Sequence, residues 1–128
     1  MNTVVYEGFF IECPLKSSLE KDIADKHITT EFRPVKSHPE LYGTKATFRI
    51  IGYGNDGTNE GYKVSLLSVC APKEQEEQLR AIYDKVKVPH ITLSVSANGK
   101  PVNTGKLDFS LPCEKKVVEA VFDGFFGN

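Results

Sequence analysis

The sequence predicts an α+β fold in which two antiparallel sheets face a central cleft and helices pack outside. Three observations lead there. The tripeptide His-Ile-Thr occurs twice, at 27–29 and 90–92, each time opening a β-rich run. Each run is preceded by a segment with helical signals. The terminal stretches Tyr6-Glu7-Gly8-Phe9-Phe10 and Phe122-Asp123-Gly124-Phe125-Phe126 echo one another. Two helix-to-strand units and two matching terminal strands describe an internal pseudo-twofold repeat, whereas a solenoid would have shorter and more numerous repeats.

The elements follow in order. Residues 3–11, TVVYEGFFI, mix β-branched and aromatic types and stop at Cys13-Pro14, as a strand entering a turn should. Ser17 and Glu20 have the spacing of a capping box, with Leu19, Ile23 and Ala24 on one face, which predicts a short helix. A second strand runs from His27 to Arg33, closed by Pro34, and 35–43 is a loop. Lys45–Tyr53 and Tyr62–Cys70 form a long hairpin, with a tip rich in Gly, Asn and Asp. Leu79, Ile82, Tyr83 and Val86 make an apolar stripe with acids before it and lysines after it, the best helix of the chain. It leads into Pro89 and the second His-Ile-Thr strand. Asn98-Gly99 is a turn, and strands are predicted at Val102–Phe109 and Lys116–Phe125.

The 128 residues suit one domain, 1–128, with a real core. Sixteen basic and 17 acidic side chains leave a net charge of −1 without charge blocks, so no surface for long nucleic acid is expected and a small ligand is. The N-terminal residues lack a basic, then apolar, leader pattern, and no run approaches membrane-spanning length. A soluble, cytoplasmic monomer without membrane partners is expected. Cys13, Cys70 and Cys113 are odd in number and share no ligand spacing, which reads as buried structural thiols rather than a disulfide framework or zinc knuckle.

In a strand, residues i and i+2 face the same side. His27 and Thr29 therefore share one face with Ile28 on the other, and His90, Thr92 and Ile91 repeat the pattern. If the two strands face each other, a cleft acquires two imidazoles and two hydroxyls. That set suits phosphodiester cleavage. One imidazole takes the proton of the attacking oxygen, the other protonates the departing one, and the hydroxyls donate to the non-bridging oxygens. Neither motif has an acid or thiol at ligand spacing, so no metal and no cofactor is expected. Gly52–Gly61 lacks the Gly-Lys-Ser/Thr ending of a phosphate loop and reads as a hairpin tip. His38, beside Pro39, reads as a solvated side chain.

At these motifs the chain resembles the 2H phosphoesterase superfamily, defined by two His-hydrophobic-Ser/Thr-hydrophobic motifs on central strands of a duplicated α+β fold. His90-Ile91-Thr92-Leu93 matches throughout, while His27-Ile28-Thr29-Thr30 carries Thr30 where the family has a hydrophobe. The resemblance covers essentially the whole chain. It implies a two-lobed fold, catalytic His27 and His90, phosphate-binding Thr29 and Thr92, and a nucleotide or RNA end as substrate. Members act on 2′,3′-cyclic phosphates, cyclic nucleotides, 2′–5′ linkages and, in phage-encoded cases, cyclic oligonucleotide signals of immunity. The alternative functions are a module that binds or sequesters a nucleotide without turning it over, and a phage-type anti-defence enzyme that cleaves cyclic oligonucleotide signals.

Overall fold

The computed structural model describes residues 3–127. Its strands are β1 (Thr3–Ile11), β2 (Lys21–Asp22), β3 (His27–Phe32), β4 (Lys45–Asn55), β5 (Asn59–Cys70), β6 (His90–Val95) and β7 (Val117–Gly127), with one α-helix, α1 (Lys73–Asp84), between β5 and β6. The α+β class stands, but the expected pair of sheets is replaced by one antiparallel sheet of seven strands, ordered β2-β6-β5-β4-β7-β1-β3. The join is the β4–β7 ladder, Lys45 opposite Val121 through Arg49 opposite Val117. Nothing local to either strand specifies that partner.

This sheet is strongly curled. Five steps separate β6 from β3 in the strand order, which at about 4.8 Å per step would place them roughly 24 Å apart in a flat sheet. Instead their Cα atoms approach to within 8 Å. The two His-Ile-Thr strands, remote in the strand order, thereby become neighbours.

The core lies on the Ile28 and Ile91 face. Alternation in β4 buries Ala46, Phe48 and Ile50, and β7 adds Val118, Ala120 and Phe122. Phe9 meets Phe48 and Phe122 edge-on, with centroids 4.9 and 5.3 Å apart. Helix α1 buries Leu79 against this cluster, and Ile82 and Tyr83 pack at its edge. The Tyr83 hydroxyl accepts from the Leu66 amide at 3.2 Å, tying the helix to β5.

Two expected elements are absent. Residues 17–20 are not helical. Ser17 Oγ lies 2.6 Å from the Asp22 carboxylate, and the Ser18 amide and hydroxyl donate to Glu60 at 2.8 and 2.9 Å. A helix of about two turns is marginal on its own, and a buried carboxylate outbids a capping box. The strand expected at Val102–Phe109 is instead a 3-10 turn, Pro101–Lys106. The chain then passes over β4, where a Cβ on Gly52 would come within 2.5 Å of the Phe109 carbonyl oxygen.

The terminal echo also has a different meaning. β1 and β7 are adjacent antiparallel strands, with Phe9 opposite Phe122 and Glu7 opposite Gly124. Outward from the central β4–β7 pair, the halves run β7-β1-β3 and β4-β5-β6, so β1 corresponds to β5 rather than to β7. The cysteines differ from expectation as well: Cys13 and Cys70 are exposed, Cys113 is half-buried, and all three are free.

Candidate active site

The two pairs β1–β3 and β5–β6 share one register. Counting from each motif histidine, His27 and His90 pair with Phe10 and Lys63, Ile28 and Ile91 with Phe9 and Tyr62, and Thr29 and Thr92 with Gly8 and Gly61. Each ladder then slips by one residue, after which Glu31 and Ser94 stand opposite Glu7 and Glu60. The extra residue is Thr30 in one strand and Leu93 in the other, a β-bulge at the same place in both. The glycines are required by the close approach: a Cβ on Gly8 would collide with the Ile28 carbonyl, and one on Gly61 would lie 2.6 Å from the Ile91 carbonyl oxygen. Thr30, where a hydrophobe was expected, donates its hydroxyl to the Glu7 carbonyl at 3.1 Å and so pins its own bulge. Leu93 is buried in the core instead.

Ile28 and Ile91 are fully buried. On the opposite face His27, Thr29, His90 and Thr92 come together around one cavity of about 450 Å³, walled by Tyr6, Ile23, Phe32, Pro101 and Val102. A volume of this order suits a small ligand.

Both imidazoles are held the same way. His27 Nδ1 lies 2.7 Å from the carbonyl oxygen of Asp25, and His90 Nδ1 lies 2.7 Å from that of Val88. A carbonyl only accepts, so each Nδ1 carries the proton and each Nε2 is the nitrogen free to exchange one. Their surroundings differ. His27 packs against the rings of Tyr6 and Phe10, with centroids 4.4 and 5.4 Å away. Burial holds the His27 pKa below the ordinary imidazole range; the Asp25 carbonyl works against this, and charge on His90 adds to it. Gly105 lies against His90, where a Cβ would be 3.2 Å from the ring. The Thr92 hydroxyl faces the Pro101 carbonyl at 3.4 Å.

No protein-family model matches the chain, and no curated protein matches it. The site therefore rests on its own geometry.

Sequence reasoning passed over the cavity wall, Phe32 and Tyr6 above all, and two carboxylates that lie behind it. Phe32 was hidden because simple alternation places Glu31 on the histidine face; the bulge at Thr30 shifts the parity and brings Phe32 there. Tyr6 stands opposite Phe32 and joins the same wall. Glu7 and Glu60 are almost fully buried at matching positions behind the cleft. Glu60 accepts from Ser18, from Ser94 Oγ at 2.6 Å and from the Tyr53 hydroxyl. Burial alone would raise its pKa, yet these hydrogen bonds together lower it. Glu7 accepts from the His38 amide at 2.6 Å, from His38 Nδ1 at 3.0 Å and from the Tyr42 hydroxyl at 2.7 Å. His38 is thus a loop anchor, which corrects its reading as a solvated side chain. The signal available in the sequence was the dipeptide Glu-Gly, present at both 7–8 and 60–61.

Proposed function

We propose that the chain is a metal-independent phosphodiesterase that opens a cyclic phosphodiester, of the 2′,3′-cyclic or cyclic oligonucleotide kind, or a 2′–5′ linkage, in the manner of the 2H phosphoesterases. The observation that carries this reading is the matched anchoring of His27 and His90, each with Nε2 free at one cavity that also takes Thr29 and Thr92. Binding alone needs no such pair of proton-transfer groups.

In the proposed reaction, the neutral imidazole accepts a proton from water at Nε2 while the water oxygen bonds to phosphorus. The other imidazole, protonated, delivers its Nε2 proton to the ribose oxygen as the opposite P–O bond breaks. The product is a phosphomonoester, and the two histidines have exchanged protonation states. Thr29 and Thr92 donate to the non-bridging oxygens as charge redistributes on the five-coordinate phosphorus. The lowered His27 pKa favours His27 as the base in the direction of hydrolysis.

The test is turnover in excess EDTA of a panel: 2′,3′-cyclic mononucleotides, RNA ending in a cyclic phosphate, 3′,5′-cyclic nucleotides, cyclic dinucleotides and a 2′–5′ dinucleotide. Hydrolysis of at least one, lost in His27→Ala and in His90→Ala, is the expected result. Tight binding without turnover of any would favour a sequestering module.

A further inference from the structure

The matched registers of the two halves make a difference at one matched position informative. One pair past Glu31–Glu7 and Ser94–Glu60, beyond the shared bulge, stand Phe32 with Tyr6 in one half and Val95 with Asn59 in the other. At the second place the protein fills the space itself. Asn59 Nδ2 donates to the Lys100 carbonyl at 2.7 Å and to Thr104 Oγ1 at 3.0 Å, and Asn59 and Val95 are buried, as is Thr104 of the 3-10 turn Pro101–Lys106. At the first place Tyr6 packs edge-on against Phe10 and Phe125, but no described residue closes over Phe32 as the turn does over Asn59. Phe32 is 63 % exposed while lining the cleft, and the Arg33 guanidinium lies over its ring, 5.4 Å from the centroid. Val102, 79 % exposed, forms the facing wall.

We infer that the cleft takes a ligand with a single nucleobase, stacked at the Tyr6–Phe32 end beside His27, and that the closed Asn59–Thr104 end leaves no second base site. This rests on the phosphodiester reading and narrows it to one nucleotide unit carrying the reacting phosphate, against a two-base ring that would need both ends open. Planar rings beside a phosphate site suit a base because every base offers a π-face.

The experiment compares adenosine 2′,3′-cyclic phosphate, 1-O-methylribose 2′,3′-cyclic phosphate and cyclic di-AMP as substrates of the wild type, Phe32→Ala and Phe32→Trp, with unfolding midpoints recorded for each. The adenosine substrate should exceed the base-free one in kcat/KM by roughly five- to 150-fold, the size of one base stack. Phe32→Ala should collapse that ratio, Phe32→Trp should keep it, and cyclic di-AMP should be the poorer substrate. A ratio near one in the wild type, a ratio untouched by Phe32→Ala, or preferred turnover of cyclic di-AMP would overturn the inference. Equilibrium binding of adenosine 2′-phosphate against 1-O-methylribose 2-phosphate separates it from the catalytic reading. Base-dependent binding lost in Phe32→Ala, without turnover of any substrate, retains the base site and rejects hydrolysis. Turnover of both cyclic phosphates with no base-dependent binding does the reverse, and binding of neither rejects both.

Discussion

His27 and His90 are held by the same bond: Nδ1 of each donates to the carbonyl of the residue two before it, at 2.7 Å in both cases. The bond is local, to the turn that leads into each strand, and it fixes the same free nitrogen on both rings. Replacing either histidine by alanine should lower kcat/KM by about 10²–10⁴-fold, the usual contribution of one positioned proton-transfer group. Unfolding midpoints should show that the variants are folded. A His27→Ala protein with near-normal turnover of the best substrate would leave a one-histidine mechanism.

Thr29 and Thr92 each follow their histidine by two residues and line the same cavity. Valine keeps their shape and removes the hydroxyl. Thr29→Val or Thr92→Val should cost kcat up to about 10²–10³-fold if the hydroxyl serves the transition state. An effect confined to KM would mean that it binds ground state and transition state alike.

How much of this was legible follows from where each signal resides. The histidine face was readable because i, i+2 geometry is local to a strand, and α1 because its apolar stripe and flanking charges are local too. Phe32 was not, since a bulge at Thr30 depends on the partner strand bringing Gly8 close. The helix expected at residues 17–24 failed because Ser18 finds Glu60, which lies 42 positions away. One sheet rather than two depends on β4 choosing β7, a tertiary event that leaves no mark on either strand alone. The Tyr6 and Phe122 echoes were visible, but their adjacency was not.

Glu60 supplies a stability prediction. Its folded pKa is lowered by its hydrogen bonds, so its contribution is present above the ordinary carboxylate pKa of about 4.3 and is lost as pH falls through the lower folded value. Denaturant unfolding of the wild type should weaken across that acid window, and Glu60→Ala should weaken less. At neutral pH the same variant should lose at least about 1.5–3 kcal/mol, since Ser18, Ser94 and Tyr53 are left without their charged acceptor. Unchanged stability would show that Glu60 does not tie Ser18, Ser94 and Tyr53 into the fold.

The aromatic packing around His27 should be visible in its titration. With its pKa held down by burial, His27 should take up its proton at a lower pH than a free imidazole of pKa about 6.5. Its stability linkage has the matching sign: the native state loses stability as pH falls below the unfolded value toward the folded one. Imidazole NMR titration should give His27 an acid-shifted midpoint, and Phe10→Leu, which removes one of the packed rings, should move it upward. A midpoint at or above the free value would contradict the burial argument.

The most direct test of the paired imidazoles is kcat/KM against pH in excess EDTA, measured on the best substrate of the panel. One histidine neutral and one protonated predicts a two-limbed profile with its maximum between roughly pH 5.5 and 8, whose limbs belong to the coupled pair, with activity unaffected by the chelator. Activity abolished by EDTA, restored by zinc or manganese and rising along a single limb set by metal-bound water would contradict it.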